Sequence, residues 1–158
     1  MPGWSGKGND LTTIAYNDGI MAADKLAVSG NGKHGRVTKI FKVNGHLVGI
    51  AGAMDVAIAL LRWFENGCDD DDWPSLQHDE RECSMMVVSP EGVISVYERY
   101  PLPIVFEQGA HAIGSGRDFA LAAMLLGCDP MKAIEVASEL DAWTGGGVDA
   151  LLLQDVDQ

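Results

Sequence analysis

The chain has 158 residues, 47% of them hydrophobic, and a formal net charge of −12 at pH 7. This length predicts one domain with a core large enough to fold unaided. The acidic balance argues against nucleic-acid binding, which needs a basic surface, and no apolar run is long enough to cross a membrane. The three cysteines, Cys68, Cys83 and Cys128, cannot all pair with one another, so the sequence predicts a reducing cytoplasm.

The first residues of the chain differ in composition from the rest. Residues 1–11 are rich in glycine and polar side chains and are predicted to form a flexible arm or a propeptide. A single domain is predicted over residues 12–158.

A hairpin is predicted directly after the arm. Its strands are Thr12–Tyr16 and Ile20–Asp24, and Asn17-Asp18-Gly19 is interpreted as a three-residue loop with glycine in the left-handed conformation. This register sets Thr12 opposite Asp24, so that a hydroxyl lies beside a carboxylate.

The remaining elements follow in segregated runs. In chain order, the patterns predict strands Arg36–Val43 and His46–Ala51, a helix between Gly52 and Gly67, strands Ser84–Ser89, Val93–Arg99 and Ala110–Ile113, a helix Arg117–Leu126, a helix from Asp129-Pro130 to about Leu140, and a strand Val148–Leu153. Such an order favours an α+β fold, in which hairpin-connected, largely antiparallel sheets carry helices on their outer faces.

Two glycine motifs look functional but are interpreted as loops. Gly30–Gly35 matches the dinucleotide pattern G-x-G-x-x-G, yet a strand pattern follows it where that fingerprint must open a helix. Gly114-Ser115-Gly116 lacks the outer glycines of a nucleophile elbow. The acidic run Asp69–Asp72 is interpreted as a solvated loop, and the four histidines lack metal-ligand spacing. No cofactor and no metal are therefore predicted.

Thr12 is the residue on which function depends. If residues 1–11 are absent, Thr12 carries both a hydroxyl nucleophile and a free α-amine that can act as its base. If those residues stay, the amine is locked in a peptide bond and this chemistry is switched off.

Lys39 is predicted to lie on an apolar strand face together with Val37, Phe41 and Val43. A lysine in such a place is costly unless it is paired, and Asp24 is the predicted partner. A structural ion pair or an exposed lysine is the alternative interpretation.

Two further places combine a glycine or hydroxyl with a helix end. At Ile50–Ala53 a strand passes into a helix whose first N–H groups can cradle an oxyanion, although an ordinary turn would look the same. Ser115 is equally consistent with a helix N-cap, and Asp141 and Thr144 with turn residues before Gly145-Gly146-Gly147.

Taken together and in this order, these pieces resemble the N-terminal-nucleophile hydrolases of the proteasome β-subunit and bacterial HslV peptidase type. The matching segments are Thr12-Thr13-Ile14, Ala23-Asp24, Val37-Thr38-Lys39-Ile40, Ile50-Ala51-Gly52, Ile113-Gly114-Ser115-Gly116, and Asp141 with Thr144–Asp149. The resemblance implies a four-layer αββα sandwich. The connector before Ser84 is too short for a second long helix, so one helical layer is expected to be reduced.

The resemblance also implies roles for individual residues. Thr12 would attack the scissile carbonyl with its α-amine as base, directly or through a water, and Lys39, held by Asp24, would favour the deprotonated hydroxyl. The Gly52 N–H would bind the oxyanion, and a polar network around the amine would consist of Ser115, Asp141 and Thr144. The specificity pocket, implied to accept apolar side chains, would be lined by Ala27, Val37, Ile50 and Met54.

The implied activity is that of a threonine-type endopeptidase in a self-assembled homo-oligomeric ring. Its substrates would be unfolded proteins or peptides, and an ATP-dependent unfoldase is the kind of partner that such rings use. Two alternatives stay open: a catalytically silent subunit that retains the arm, and a non-proteolytic amidase.

Leu11 precedes Thr12 where a glycine is common in the family. The arm is removed autocatalytically, or it persists in a silent subunit, or Leu11 stands at a non-standard start codon and translation yields Met-Thr-Thr. These three explanations stay open.

Overall fold

The computed structural model describes residues 12–28, 34–75 and 82–154. The predicted arm and most of the Gly30–Gly35 motif lie outside these ranges. The described strands are β1 (Thr13–Asn17), β2 (Ile20–Asp24), β3 (Leu26–Val28), β4 (His34–Arg36), β5 (Ile40–Val43), β6 (His46–Gly52), β7 (Cys83–Val88), β8 (Ile94–Tyr97), β9 (Ile104–Phe106), β10 (Ala110–Gly114) and β11 (Val148–Leu152). The described helices are α1 (Met54–Glu65), α2 (Arg117–Leu125) and α3 (Pro130–Leu140).

Antiparallel pairing organises the strands into two main sheets. One sheet has four strands in the order β10-β1-β2-β11, and the other has five in the order β5-β6-β7-β8-β9. β3 and β4 form a separate two-stranded ribbon. The two sheets face each other, because Ile14 and Met21 from the first share a buried cluster with Leu47 and Met86 from the second.

Helices cover the outer faces of both sheets. α1 packs on the five-stranded sheet, where Leu60 joins Ile50 and Met85 in a buried cluster. α2 and α3 pack on the four-stranded sheet through small side chains, among them Ala15, Ala22, Ala120, Ala123, Ala133 and Ala137. The structure is therefore mixed α/β with antiparallel sheets, which confirms the predicted class at this level. Within the described residues, no helix is long and apolar enough to span a membrane.

The predicted helix starts are confirmed. α1 begins at Met54, directly after the strand-to-helix junction at Gly52. Asp129 caps α3 by accepting a hydrogen bond from the Lys132 N–H at 2.8 Å, and Pro130 occupies the first turn.

The loop of the first hairpin is one residue shorter than predicted. Asp18 and Gly19 both have positive φ values, 48° and 81°, as a two-residue type I′ turn requires. Tyr16 consequently pairs with Met21. The three-residue interpretation placed only the glycine in the left-handed region, but aspartate also enters that region more readily than most residues.

The shorter loop changes the register of the whole hairpin. Ile14 pairs with Ala23, so the next residues outward, Thr13 and Asp24, lie opposite each other. The predicted pairing of Thr12 with Asp24 is wrong by one residue. A register shift of one residue places every side chain of a strand on the opposite face of the sheet.

The predicted strand Arg36–Val43 is also wrong, because residues 37–39 form no strand. The chain crosses here from the β3–β4 ribbon to the five-stranded sheet, and its backbone bonds to other segments. The Val37 N–H donates to the Lys25 carbonyl, and the Lys39 carbonyl accepts from the Ile50 N–H, both at 2.9 Å. The alternation of side chains that the sequence predicts along a continuous strand is therefore interrupted at residues 37–39.

Four short elements were not predicted. One of them is the strand β4, placed where the sequence predicts the end of a glycine-rich turn. The other three are the strands β3 and β9 and a 3-10 turn at Asp70–Asp72 in the acidic connector.

Candidate active site

A buried ion pair lies at the end of β2. The Lys39 Nζ is 2.8 Å from the Asp24 Oδ1, and the side chains are only 1% and 0% exposed. The pairing that the sequence predicts is therefore present. Burial of two charges has a desolvation cost that only good geometry and further hydrogen bonds offset.

The Asp24 carboxylate is well supplied with further donors. Its Oδ1 also accepts from the Thr13 N–H at 3.0 Å, and its Oδ2 accepts from the Gly145 N–H at 3.0 Å. The carboxylate thus ties β1, the segment before β5 and the turn before β11 to one point.

Thr13 is a residue of this site that the sequence interpretation missed. Its side chain is fully buried; the Oγ1 accepts from the Gly116 N–H at 3.0 Å and lies 2.7 Å from the Thr144 Oγ1. A correct count of the hairpin loop would have found it, because the Asn17–Ile20 turn then sets Thr13 opposite Asp24. The Thr13 hydroxyl is engaged structurally, which leaves Thr12 as the candidate nucleophile.

Ser115, Asp141 and Thr144, the set that the family resemblance implies, are joined by hydrogen bonds. The Asp141 Oδ2 accepts from the Ser115 Oγ at 2.6 Å and from the Thr144 Oγ1 at 2.5 Å. The Ser115 N–H donates to the Thr12 carbonyl at 2.7 Å. Ser115 thus contacts Thr12, and Thr144 contacts Thr13, so the network touches both residues of the Thr12–Thr13 peptide.

The two glycines that flank Ser115 are required because no side chain fits at either position. Gly114 has φ +101°, and a β-carbon there would overlap the Thr12 carbonyl. A β-carbon on Gly116 would overlap the Thr13 hydroxyl. Gly114-Ser115-Gly116 is thus a close-approach motif that lets the β10–α2 turn contact the Thr12–Thr13 peptide.

Thr12 continues the alternation of β1. Ile14 and Tyr16 point between the two sheets, whereas Ala15 lies under α2 and α3. By the two-residue period of a strand, Thr12 belongs to the inter-sheet side and Thr13 to the helix side. Thr12 is only 1% exposed.

Gly52 ends β6 at the entrance to α1. Its φ is +102°, and a β-carbon would overlap the backbone of Glu82 and Cys83 on the neighbouring strand. Glycine is therefore required by the backbone itself at this position.

The predicted pocket residues differ in how much surface they present. Ala27 on β3, Val37 in the crossing segment and Met54 at the start of α1 are half-buried. Ile50 is fully buried, because β6 is a central strand and this side chain lies under α1.

The fold is similar to that of solved structures. A structure of Thiobacillus denitrificans BPH in complex with epoxomicin aligns with a TM-score of 0.64 and 20% identity, over 91% of this chain and 99% of that chain. A structure of Thiobacillus denitrificans BPH aligns with a TM-score of 0.63 and 21% identity, over 90% of this chain and 98% of that chain. No family model and no curated protein matches the sequence. At this identity the likeness shows a shared fold.

Proposed function

We propose that this chain is a threonine-type endopeptidase of the N-terminal-nucleophile class, in which Thr12 attacks the substrate once residues 1–11 are absent. The buried Lys39–Asp24 pair beside the Thr12–Thr13 peptide carries the proposal. Apolar side chains of similar volume would often stabilise a fold as well as a buried ion pair, so the presence of the pair beside Thr12 favours a chemical role. The complex of a structural neighbour with epoxomicin, a proteasome inhibitor, favours the same class.

The architecture is consistent with the four-layer αββα sandwich of the proteasome and HslV type. α2 and α3, the four-stranded sheet, the five-stranded sheet and α1 would be its successive layers. A single helix, α1, would then form the reduced layer that the short connector predicts.

The proposed reaction begins at the Thr12 hydroxyl. Its proton passes to the free α-amine, whose pKa of about 8 suits a base at neutral pH, while Oγ1 bonds to the scissile carbonyl carbon. The tetrahedral intermediate collapses with breakage of the C–N bond, and the leaving amine takes the proton. Water then hydrolyses the Thr12 ester by the same route, which releases a carboxylic acid and restores the hydroxyl.

Other residues would support these steps. The Lys39 ammonium would favour the deprotonated hydroxyl by its positive charge, and Asp24 would hold it in place. The Gly52 N–H would stabilise the oxyanion, and the network of Ser115, Asp141 and Thr144 would orient the amine. The acyl side of the substrate would lie against the surface of Ala27, Val37 and Met54, with Ile50 beneath.

Assembly into a ring is part of the proposal. Large apolar side chains are exposed at separate places, Leu102 before β9 at 75% and Leu126 after α2 at 87%. Head-to-tail association through two different surfaces of one chain closes into a ring when the rotation between neighbouring subunits allows it. A ring of such subunits would enclose a chamber that admits unfolded protein. An ATP-dependent unfoldase would deliver that unfolded protein to the chamber. The described cysteines are all free, which supports a cytoplasmic location.

The test is the intact mass of protein from its native host, combined with hydrolysis of a peptide-aminocoumarin series. We expect a mass that begins at Thr12, hydrolysis by this species, and loss of hydrolysis in Thr12→Ala. Thr12→Ser, which keeps a hydroxyl, is the matched control and should retain activity. Retention of residues 1–11 without hydrolysis would instead identify a silent subunit, and turnover of simple amides but no peptides an amidase.

A further inference from the structure

A cleft of about 440 Å³ lies on the β10 flank of Thr12. β10 and β2 border β1 on opposite sides, so the cleft is separated by β1 from the surface formed by Ala27 and Val37. One of its lining residues is Gly114, which pairs with Thr13. The volume is within the range of about 300–1,000 Å³ typical of ligand sites.

The cleft exists because the two sheets differ in width. β10 is the last strand of the four-stranded sheet and lies over β6 and β7. β8 and β9 continue the five-stranded sheet beyond it, which leaves a step. Among the strands that the structure describes, β10 bonds only to β1, so an extended peptide in the step could pair with its outer edge.

The lining combines apolar side chains from the five-stranded sheet with charged ones, namely Glu82, Glu98, Arg99 and Arg117. Val96, Ile104 and Phe106 come from β8 and β9. His111 stacks on Phe106 with the ring centroids 4.1 Å apart, and burial lowers the pKa of His111, which disfavours the charged form of its ring. Ser84 lines the same cleft.

We propose that this cleft binds the part of a peptide substrate that follows the scissile bond, with an apolar side chain on Ile104 and Phe106. The inference rests on the proposed function. A peptide that passes Thr12 has its acyl part on the β2 flank and must leave on the other flank. On that flank the cleft is lined by Gly114, which pairs with Thr13, so the cleft starts one residue from Thr12.

Two substrates with the same acyl part separate this inference from the activity itself. The first ends in aminocoumarin after the scissile bond, and the second continues with a leucine-containing peptide between a fluorophore and a quencher. The variants are Ile104→Glu and, as a matched control, Val105→Glu. These neighbours on β9 are 52% and 56% exposed, but only Ile104 lines the cleft.

We expect Ile104→Glu to lower kcat/KM for the extended peptide roughly tenfold, the effect of one lost apolar contact in a pocket, and to leave the aminocoumarin substrate unchanged. Val105→Glu should change neither value. Equal losses on both substrates, or no loss on either, would overturn the assignment. Ile104→Thr repeats the test with a smaller change if Ile104→Glu does not fold. Failure of the parent chain to hydrolyse aminocoumarin would refute the proposed function, and the cleft assignment with it.

Discussion

Replacement of Asp24 by asparagine removes one charge from the buried ion pair and changes little else in shape. Asp24 accepts hydrogen bonds from the Lys39 Nζ at 2.8 Å and from the Thr13 and Gly145 N–H groups at 3.0 Å. An asparagine offers one oxygen acceptor, and its NH₂ group would face a donor on the other side. The Asp24→Asn variant therefore loses the carboxylate charge and at least one hydrogen bond.

The expected cost follows from the burial of the pair. Removal of one partner of a buried ion pair typically costs about 3–5 kcal/mol of unfolding free energy. With a urea m-value of about 1–3 kcal/mol/M, the unfolding midpoint should fall by about 2 M. Peptide hydrolysis should fall as well, because Asp24 no longer holds the Lys39 ammonium.

Urea unfolding of four chains measures the coupling: the parent, Asp24→Asn, Lys39→Met and the double variant. The double variant should be more stable than Asp24→Asn alone. In Asp24→Asn the Lys39 ammonium stays buried without its carboxylate, whereas the double variant has no buried charge at this position. An unfolding free energy of Asp24→Asn within about 0.5 kcal/mol of the parent value, the usual range for a surface substitution, would contradict the predicted cost of breaking the buried ion pair.

Two further predictions concern Thr13 and His111. Thr13→Val should lower the unfolding free energy by about 1–3 kcal/mol, because it leaves the buried Gly116 N–H without its acceptor, and it should lower kcat of the processed chain. Thr13→Ser keeps the hydroxyl and should leave both the unfolding free energy and kcat close to the parent values. The folded pKa of His111 lies below that of the unfolded chain, since burial disfavours the charged ring. The unfolded chain therefore takes up the proton first as the pH falls, and stability should decline below about pH 6.5. His111→Phe should make that decline shallower.

Each of these predictions has its own contradicting result. Equal stability of Thr13→Val and Thr13→Ser would mean that the Thr13 hydroxyl does not hold Gly116. For His111, urea midpoints measured from about pH 7 to pH 5 should differ in slope between the parent and His111→Phe. Parallel slopes would assign the acid sensitivity to other groups.

Part of the candidate site was predictable from the sequence, whereas Thr13 and the geometry were not. Charge and polarity alone indicated that Lys39 needs a carboxylate partner, and the structure supplies Asp24. The register of the first hairpin depended on whether Asp18 or only Gly19 adopts a left-handed conformation. The propensities of single residues do not decide between these conformations. The wrong choice paired Asp24 with Thr12, whereas the structure places Asp24 opposite Thr13.

Other errors arose where tertiary contacts override a local pattern. Residues 36–43 alternate like one strand, yet the Val37 N–H and the Lys39 carbonyl bond to Lys25 and Ile50 far away in the sequence. Gly116 could be interpreted only as part of a turn, because its close approach to Thr13 is visible only once β1 and β10 pair. Short edge elements such as β9 have too few residues to show a period.

Under the proposed function, a free Thr12 α-amine makes this chain a peptidase. The most direct measurement compares aminocoumarin release by a chain that begins at Thr12, the same chain with Thr12→Ala, and a chain that begins at Leu11 and cannot be processed. We expect hydrolysis by the first chain alone. Undiminished hydrolysis by Thr12→Ala, or by the chain in which Leu11 blocks the amine, would contradict it.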